Sequence, residues 1–313
     1  MKSNPQEILD AHKRIQLYIH NTPVLTSQTV NNQSGVQVFF KCENFQKMGA
    51  FKMRGAVNAI LQLSKKQQTK GVVTHSSGNF AQALSLAAKS LNVPAFVVMP
   101  NTAPEVKKDA VKGYGGEIIE CPPTLVDREH AANQIVLDKG ATFLHPSDNW
   151  DVILGQGTAA LELLSEISDL DYIITPVGGG GLVAGTILAT LAKNPGCRVI
   201  GAEPSEADDA YRSLISGEIE TNTTTNTIAD GLKTQLGSLN FPVIRDHIEA
   251  IIRVEETEII AAMQLIWERM KIIVEPSSAT ALAAVFKSKE RFANKKIGII
   301  LSGGNVDLKK LPF

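Results

Sequence analysis

Short apolar runs alternate along this chain with stretches whose apolar residues recur every three or four positions. Runs of strand length bounded by turn residues suit a buried sheet, and the three-to-four spacing suits one face of a helix. The pattern predicts strands at 36–41, 71–75, 95–99, 117–120, 172–177, 198–202 and 297–301, and helices at 79–90, 182–193 and 256–271. A first helix over 5–19 shows the same rhythm through Ile8, Ile15 and Ile19 and should pack on the surface. Strands and helices in alternation are the signature of α/β units around a largely parallel sheet. The block 71–147 carries an alternation of its own, so it reads as a smaller inserted domain, with 1–70 and 148–313 forming the large one. A Ser/Thr/Asn-rich stretch at 221–227 reads as a loop. No repeat of solenoid period and no low-complexity tract is visible.

Length agrees with that division, since 313 residues exceed what a single core usually spans. Thirty-one basic and 32 acidic side chains leave a net charge of −1, so no strong field draws nucleic acid or an anionic membrane, and a small molecule is the expected partner. Hydrophobic residues make up 43% of the chain, yet no apolar run approaches the roughly 20 residues that span a bilayer. Residues 1–5 lead into a polar helical pattern without the apolar core of a signal peptide, which points to a soluble, cytoplasmic protein. Cys42, Cys121 and Cys197 are odd in number and widely spaced, as expected of buried thiols outside any disulfide or zinc framework.

Four segments carry candidate chemistry. In Pro176-Val177-Gly178-Gly179-Gly180-Gly181-Leu182 four glycines join an apolar strand to a small-residue helix. Without Cβ atoms, backbone N–H groups can close on an anion at the positive end of the helix, which reads as a phosphate cup. It is neither a dinucleotide fingerprint nor a nucleoside-triphosphate loop. Gly49-Ala50-Phe51-Lys52-Met53-Arg54-Gly55-Ala56 places a lysine where a helix begins. The helix dipole disfavours a cation there, and together with burial it favours the neutral amine that attacks an aldehyde. Thr74-His75-Ser76-Ser77-Gly78-Asn79 runs from a strand into a polar turn, suited either to a carboxylate and a ring hydroxyl or to plain N-capping by Ser77 or Asn79. Leu301-Ser302-Gly303-Gly304-Asn305 ends a buried strand on a hydroxyl and two glycines. Together the four match what pyridoxal 5′-phosphate bound to an amino acid demands.

With these motifs in order, the chain resembles the fold-type II (tryptophan synthase β-like) pyridoxal-phosphate enzymes, and within them the serine racemase and serine/threonine/3-hydroxyaspartate dehydratase family. The likeness runs from Asn21-Thr22-Pro23-Val24-Leu25 to Val306-Asp307. It implies an α/β fold of two domains, each a mainly parallel sheet flanked by helices, and a homodimer. By position, Lys52 would hold the cofactor as a Schiff base and act as base on one face of the substrate Cα, with Ser77 as acid/base on the other. Asn79 would sit near the ring hydroxyl, Phe51 beside the ring, and Gly178, Gly179, Gly180 and Gly181 around the phosphate. Ser302 would face the pyridine nitrogen, a neutral partner that weakens the electron sink and favours β-elimination. Ser76, Arg128 and Thr234 fall where the family contacts substrate. Glu203, Asp209 and the Ala207 carbonyl fall where it binds a cation, and hard oxygens suit magnesium, manganese or calcium.

Departures from the pattern change the expectation. Ala50 replaces a common Ser, and Phe80 stands where many members have His, so a drier pocket with altered selectivity is expected. Met48 replaces a small polar residue of the nucleotide-activated racemases, which argues against nucleotide activation, and with the sequence ending at Phe313 the regulatory domain of the biosynthetic threonine deaminases is not expected. The implied activity is conversion of L-serine, L-threonine or 3-hydroxyaspartate to a keto acid and ammonia. The alternatives are a dedicated serine or aspartate racemase and, from another class, a catalytically silent module that binds cofactor or amino acid.

Overall fold

The computed structural model describes residues 4–313. Ten strands form two sheets among these residues. In chain order the strands are β1 (Val24–Thr26), β2 (Gln37–Cys42), β3 (Val72–His75), β4 (Ala95–Pro100), β5 (Glu117–Cys121), β6 (Thr142–Phe143), β7 (Tyr172–Pro176), β8 (Arg198–Pro204), β9 (Ala250–Val254) and β10 (Lys296–Leu301). The helices are α1 (Pro5–Ile15), α2 (Gln28–Ser34), α3 (Lys52–Gln62), α4 (Lys65–Lys70), α5 (Asn79–Ser90), α6 (Glu105–Gly113), α7 (Leu125–Lys139), α8 (Trp150–Glu166), α9 (Gly181–Lys193), α10 (Asp209–Ser216), α11 (Phe241–His247), α12 (Glu256–Met270) and α13 (Pro276–Lys287).

The larger sheet has the order β1-β2-β10-β7-β8-β9, parallel except for β1, and the smaller has β5-β4-β3-β6, parallel throughout. Parallel strands need helices on both faces to bury them. On the large sheet α1, α8, α9 and α11 close one apolar core, and α2, α12 and α13 close the other. On the small sheet α7 covers one face while α5 and α6 cover the opposite one. A further cluster takes Met53, Val57 and Ile60 from α3 together with Phe80, Leu84 and Ala87 from α5, so a shared core joins the two sheets.

All seven strands expected from the pattern are present, with ends shifted by at most two residues. The 79–90 helix matches, while those expected at 182–193 and 256–271 run Gly181–Lys193 and Glu256–Met270. One expectation needs correction, and three strands were not expected. The first helix stops at Ile15 and continues as turns, although Ile19 is still buried. The strands β1, β6 and β9 carry no clear periodic signal, because two or three residues are too few for one and β9 alternates weakly at the sheet edge. The stretch 221–227 is a loop as expected, and the three cysteines are free and buried. No helix among the described residues is long and apolar enough to cross a membrane.

Candidate active site

Three strands of this layout deliver polar turns from their carboxyl ends, where α/β sheets usually place ligands. β3 leads into Ser76, β7 into the glycine run and β10 into Ser302. The loop before α3 lies against the last of these. Phe51 N donates to Ser302 O at 3.0 Å, Gly304 N to Gly49 O at 2.9 Å, and Ala50 bridges Gly303. The turn is tight enough that Gly49 has φ +80°, and a Cβ there would stand 2.7 Å from Asn305 Oδ1.

Lys52 is thereby fixed as the first residue of α3, one position after the Phe51 that bonds buried Ser302. Its Nζ donates to Pro146 O at 2.8 Å and lies 5.0 Å from the Phe51 ring and 5.9 Å from the Phe80 ring. Burial among these groups lowers its pKa to about 8, although the Glu275 carboxyl pulls the other way. Phe80, 2% exposed, thus occupies the amine's surroundings with a ring that offers no polar atom.

The four glycines follow β7 and open α9, with Gly180 at φ +79° as its N-cap. That conformation strains any residue with a Cβ. The run is backed closely. A Cβ on Gly178 would stand 2.9 Å from Leu232 Cα, on Gly181 2.6 Å from Gln156 Oε1, and on Gly179 3.1 Å from Thr234 Oγ1. Methyls on Gly179 and Gly180 would also collide with Ser147 Oγ and Asn240 Oδ1. The first-turn N–H groups of α9 have no acceptor within the helix, so the loop can take an anion. Residues 146 and 147 join it to the lysine: Pro146 O receives both Lys52 Nζ and Gln156 Nε2 (3.2 Å), and Ser147 packs on Gly179.

Beyond β3, Ser76 N donates to Val98 O (3.2 Å), and neither Ser77 nor Asn79 caps α5, whose N-cap is Gly78. Asn79 instead donates to both oxygens of Glu275 (2.9 and 3.1 Å) and accepts from Asn305 Nδ2 (2.9 Å). Glu275 also accepts from Asn305 N (3.2 Å). Burial, with some repulsion from Asp230, raises the Glu275 pKa to about 7 against those hydrogen bonds. In sequence Glu275 reads only as the acid ahead of Pro276, so nothing marked it as part of this site. Arg128 sits near the start of α7, where its charge joins burial in lowering the pKa of His75 beside Ser76. His75, Phe143 and His145 form an aromatic cluster, the first two stacked at 5.3 Å. His145 Nδ1 accepts from Ser147 N (3.2 Å) and Asp148 N (2.8 Å), and burial with His75 pushes its pKa down to about 4.

The acidic set lies apart, at the end of β8 and the start of α10. Glu203 accepts from Ala210 N (3.0 Å) and Tyr211 N (2.9 Å), and Asp209 from Asn222 Nδ2 (2.8 Å) and Leu236 N (3.1 Å). Both are fully buried, as is Ala207. Burial raises both carboxyl pKa values, and Asp209 repels Glu203 further. Two buried acids that resist ionisation are the arrangement a divalent cation would relieve. Among the described residues no three His, Cys, Asp or Glu side chains converge at metal-ligating spacing.

A lysine with a depressed pKa, a glycine loop on a helix start and a strand-end serine, gathered at the carboxyl ends of mainly parallel strands, define a cofactor-dependent enzyme that works through an amine and a phosphate anchor. The family described as pyridoxal-phosphate dependent enzymes matches residues 15–303, and the chain belongs to it. Serine racemase from Dictyostelium discoideum is 54% identical over 310 residues, 98% of this chain and 96% of the relative. The β-hydroxyaspartate dehydratase of Paracoccus denitrificans is 47% identical over 308 residues, 98% of each. The crystal structure of the Dictyostelium serine racemase superposes with a TM-score of 0.94 at 53% identity, covering 98% of this chain and all of the other. The fold is that of the fold-type II enzymes, as the sequence motifs imply.

Proposed function

We propose that this chain dehydrates small L-hydroxy-amino acids, L-serine, L-threonine or 3-hydroxyaspartate, to a keto acid and ammonia, with racemisation at Cα as the competing outcome. The observation that carries the reading is the Lys52 amine, held on Pro146 O beside the glycine loop with its pKa near 8. The names of the racemase and dehydratase relatives support both outcomes.

When bound, pyridoxal phosphate supplies an aldehyde for the amine and a conjugated ring that accepts the electron pair left when the Cα proton departs. Lys52 would hold it covalently, Gly178, Gly179, Gly180 and Gly181 would take its phosphate, and Phe51, Asn79 and Ser302 would line the ring. The neutral Lys52 amine would accept the Cα proton at Nζ on one face. Ser77 would return a proton to the other face when the product is the D-amino acid. Ser76, Arg128 and Thr234 bind the substrate's carboxylate and polar groups. The rings of Phe51 and Phe80 exclude water from the amine, and Glu275 orients Asn79. The test is a substrate panel scored for keto acid and for D-product. Lys52→Ala should abolish both and remove the site of borohydride labelling in the presence of cofactor. Ser77→Ala should suppress D-product; normal racemisation by that variant would remove Ser77 from its role.

The two buried acids, with the Ala207 carbonyl, are proposed as a site for magnesium, manganese or calcium. The segments 71–147 and 1–70 with 148–313 are proposed as two domains closing on substrate. A homodimer and a cytoplasmic location complete the reading, the latter suited to three unpaired thiols. A monomer mass in sedimentation equilibrium would overturn the dimer.

A further inference from the structure

An asparagine at a helix N-cap ordinarily spends its side chain on that helix. Asn240 precedes α11 in a helical conformation and makes no such cap. The residue is fully buried, and its amide is satisfied by three other segments. Nδ2 donates to Gly179 O at 2.9 Å and to Ser147 O at 3.2 Å, while Oδ1 accepts from Gly237 N at 3.1 Å. Its own backbone N donates to Asp148 Oδ1 at 3.2 Å, which anchors the residue from the other side.

The bond to Gly179 O is the informative one. That carbonyl and the N–H of Gly180 belong to one planar trans peptide unit and point in opposite directions. Fixing the oxygen on Asn240 therefore turns the Gly180 N–H away from Asn240. Without side chains the glycines have no packing of their own to select this peptide orientation, and glycine peptides are the freest in the chain to rotate. We infer that Asn240 is a positioning residue that aims the phosphate-binding peptide of the glycine loop, so that affinity for the phosphate of the cofactor depends on it. The inference rests on the reading that these glycines hold the phosphate.

Paired binding measurements on the full-length, cofactor-stripped protein test it, with pyridoxal phosphate and with pyridoxal, which lacks the phosphate. Asn240→Ala should weaken pyridoxal phosphate about ten- to a hundredfold, the size expected for losing hydrogen bonds to a charge-binding group. Pyridoxal should bind as before, since Lys52 is untouched. Asn240→Asp, which keeps the shape and the Gly237 contact but loses both donated bonds, should show the same selective loss. Equal weakening of both ligands, or of neither, overturns the role. A wild-type protein that fails to prefer the phosphorylated ligand would instead overturn the assignment of the glycine loop, a result separable from failure of the variants alone.

Discussion

Lys52 shows how much a residue's chemistry depends on its neighbours. An ordinary lysine titrates near 10.4 and is almost wholly charged at pH 7. Burial brings this one to about 8, so roughly a tenth of the amines are neutral at pH 7 and most are above pH 8.5. Only the neutral amine attacks the aldehyde, so the rate at which stripped protein takes up pyridoxal phosphate should rise with pH, pass half its maximum near pH 8 and level off about one unit higher. Stopped-flow absorbance across pH 6–10 reads this directly, and a rate still climbing steeply at pH 10 would contradict it. The lysine was legible in sequence because its motif is local. Glu275, His145 and Asn240 were not, since each earns its place only through partners more than 60 residues away or through a turn whose path no spacing reveals.

At the scale of elements, α3 is held from behind by charge as well as by apolar packing. Two residues after Lys52, buried Arg54 donates to Glu43 (2.7 and 2.8 Å) and to Glu162 (2.8 and 2.7 Å), and Lys41 Nζ lies 2.7 Å from Glu162. Burial alone would lower the Arg54 pKa and raise that of Glu162, but the opposed charges reverse both shifts. Removing one partner strands the others in low dielectric. Arg54→Met should destabilise the protein by about 3–5 kcal/mol in chemical denaturation, and Arg54→Lys, which lacks the fork, should recover only part. A loss below about 1 kcal/mol for Arg54→Met would show that the cluster relaxes around the gap. The sequence revealed seven of the ten strands and helices such as α5, α9 and α12 because their apolar periods are sustained. The cluster escaped it, as Lys41, Glu43, Arg54 and Glu162 come from β2, the turn after it, α3 and α8.

For the molecule as a whole, the acidic set and the glycine loop are connected. Asp209 accepts Leu236 N, and the segment 232–240 backs the glycines through Leu232, Thr234, Leu236 and Asn240. A cation bound at Glu203 and Asp209 would stabilise the native state by mass action, by about 2.7 kcal/mol at a hundred times its Kd. Dialysis against chelator should accordingly lower the melting temperature, and magnesium, manganese or calcium should restore it. A melting curve indifferent to both treatments would remove the site.

The order of strands in the large sheet carries a consequence for synthesis. β10 lies between β2 and β7, yet more than a hundred residues separate it from either. While a ribosome is still short of residue 296, those two strands each present an open row of amides and carbonyls with nothing to pair them. The small sheet, whose strands all fall within 72–143, can close early; its larger neighbour must wait for the final strand, and with it for the serine and glycines that brace the lysine loop.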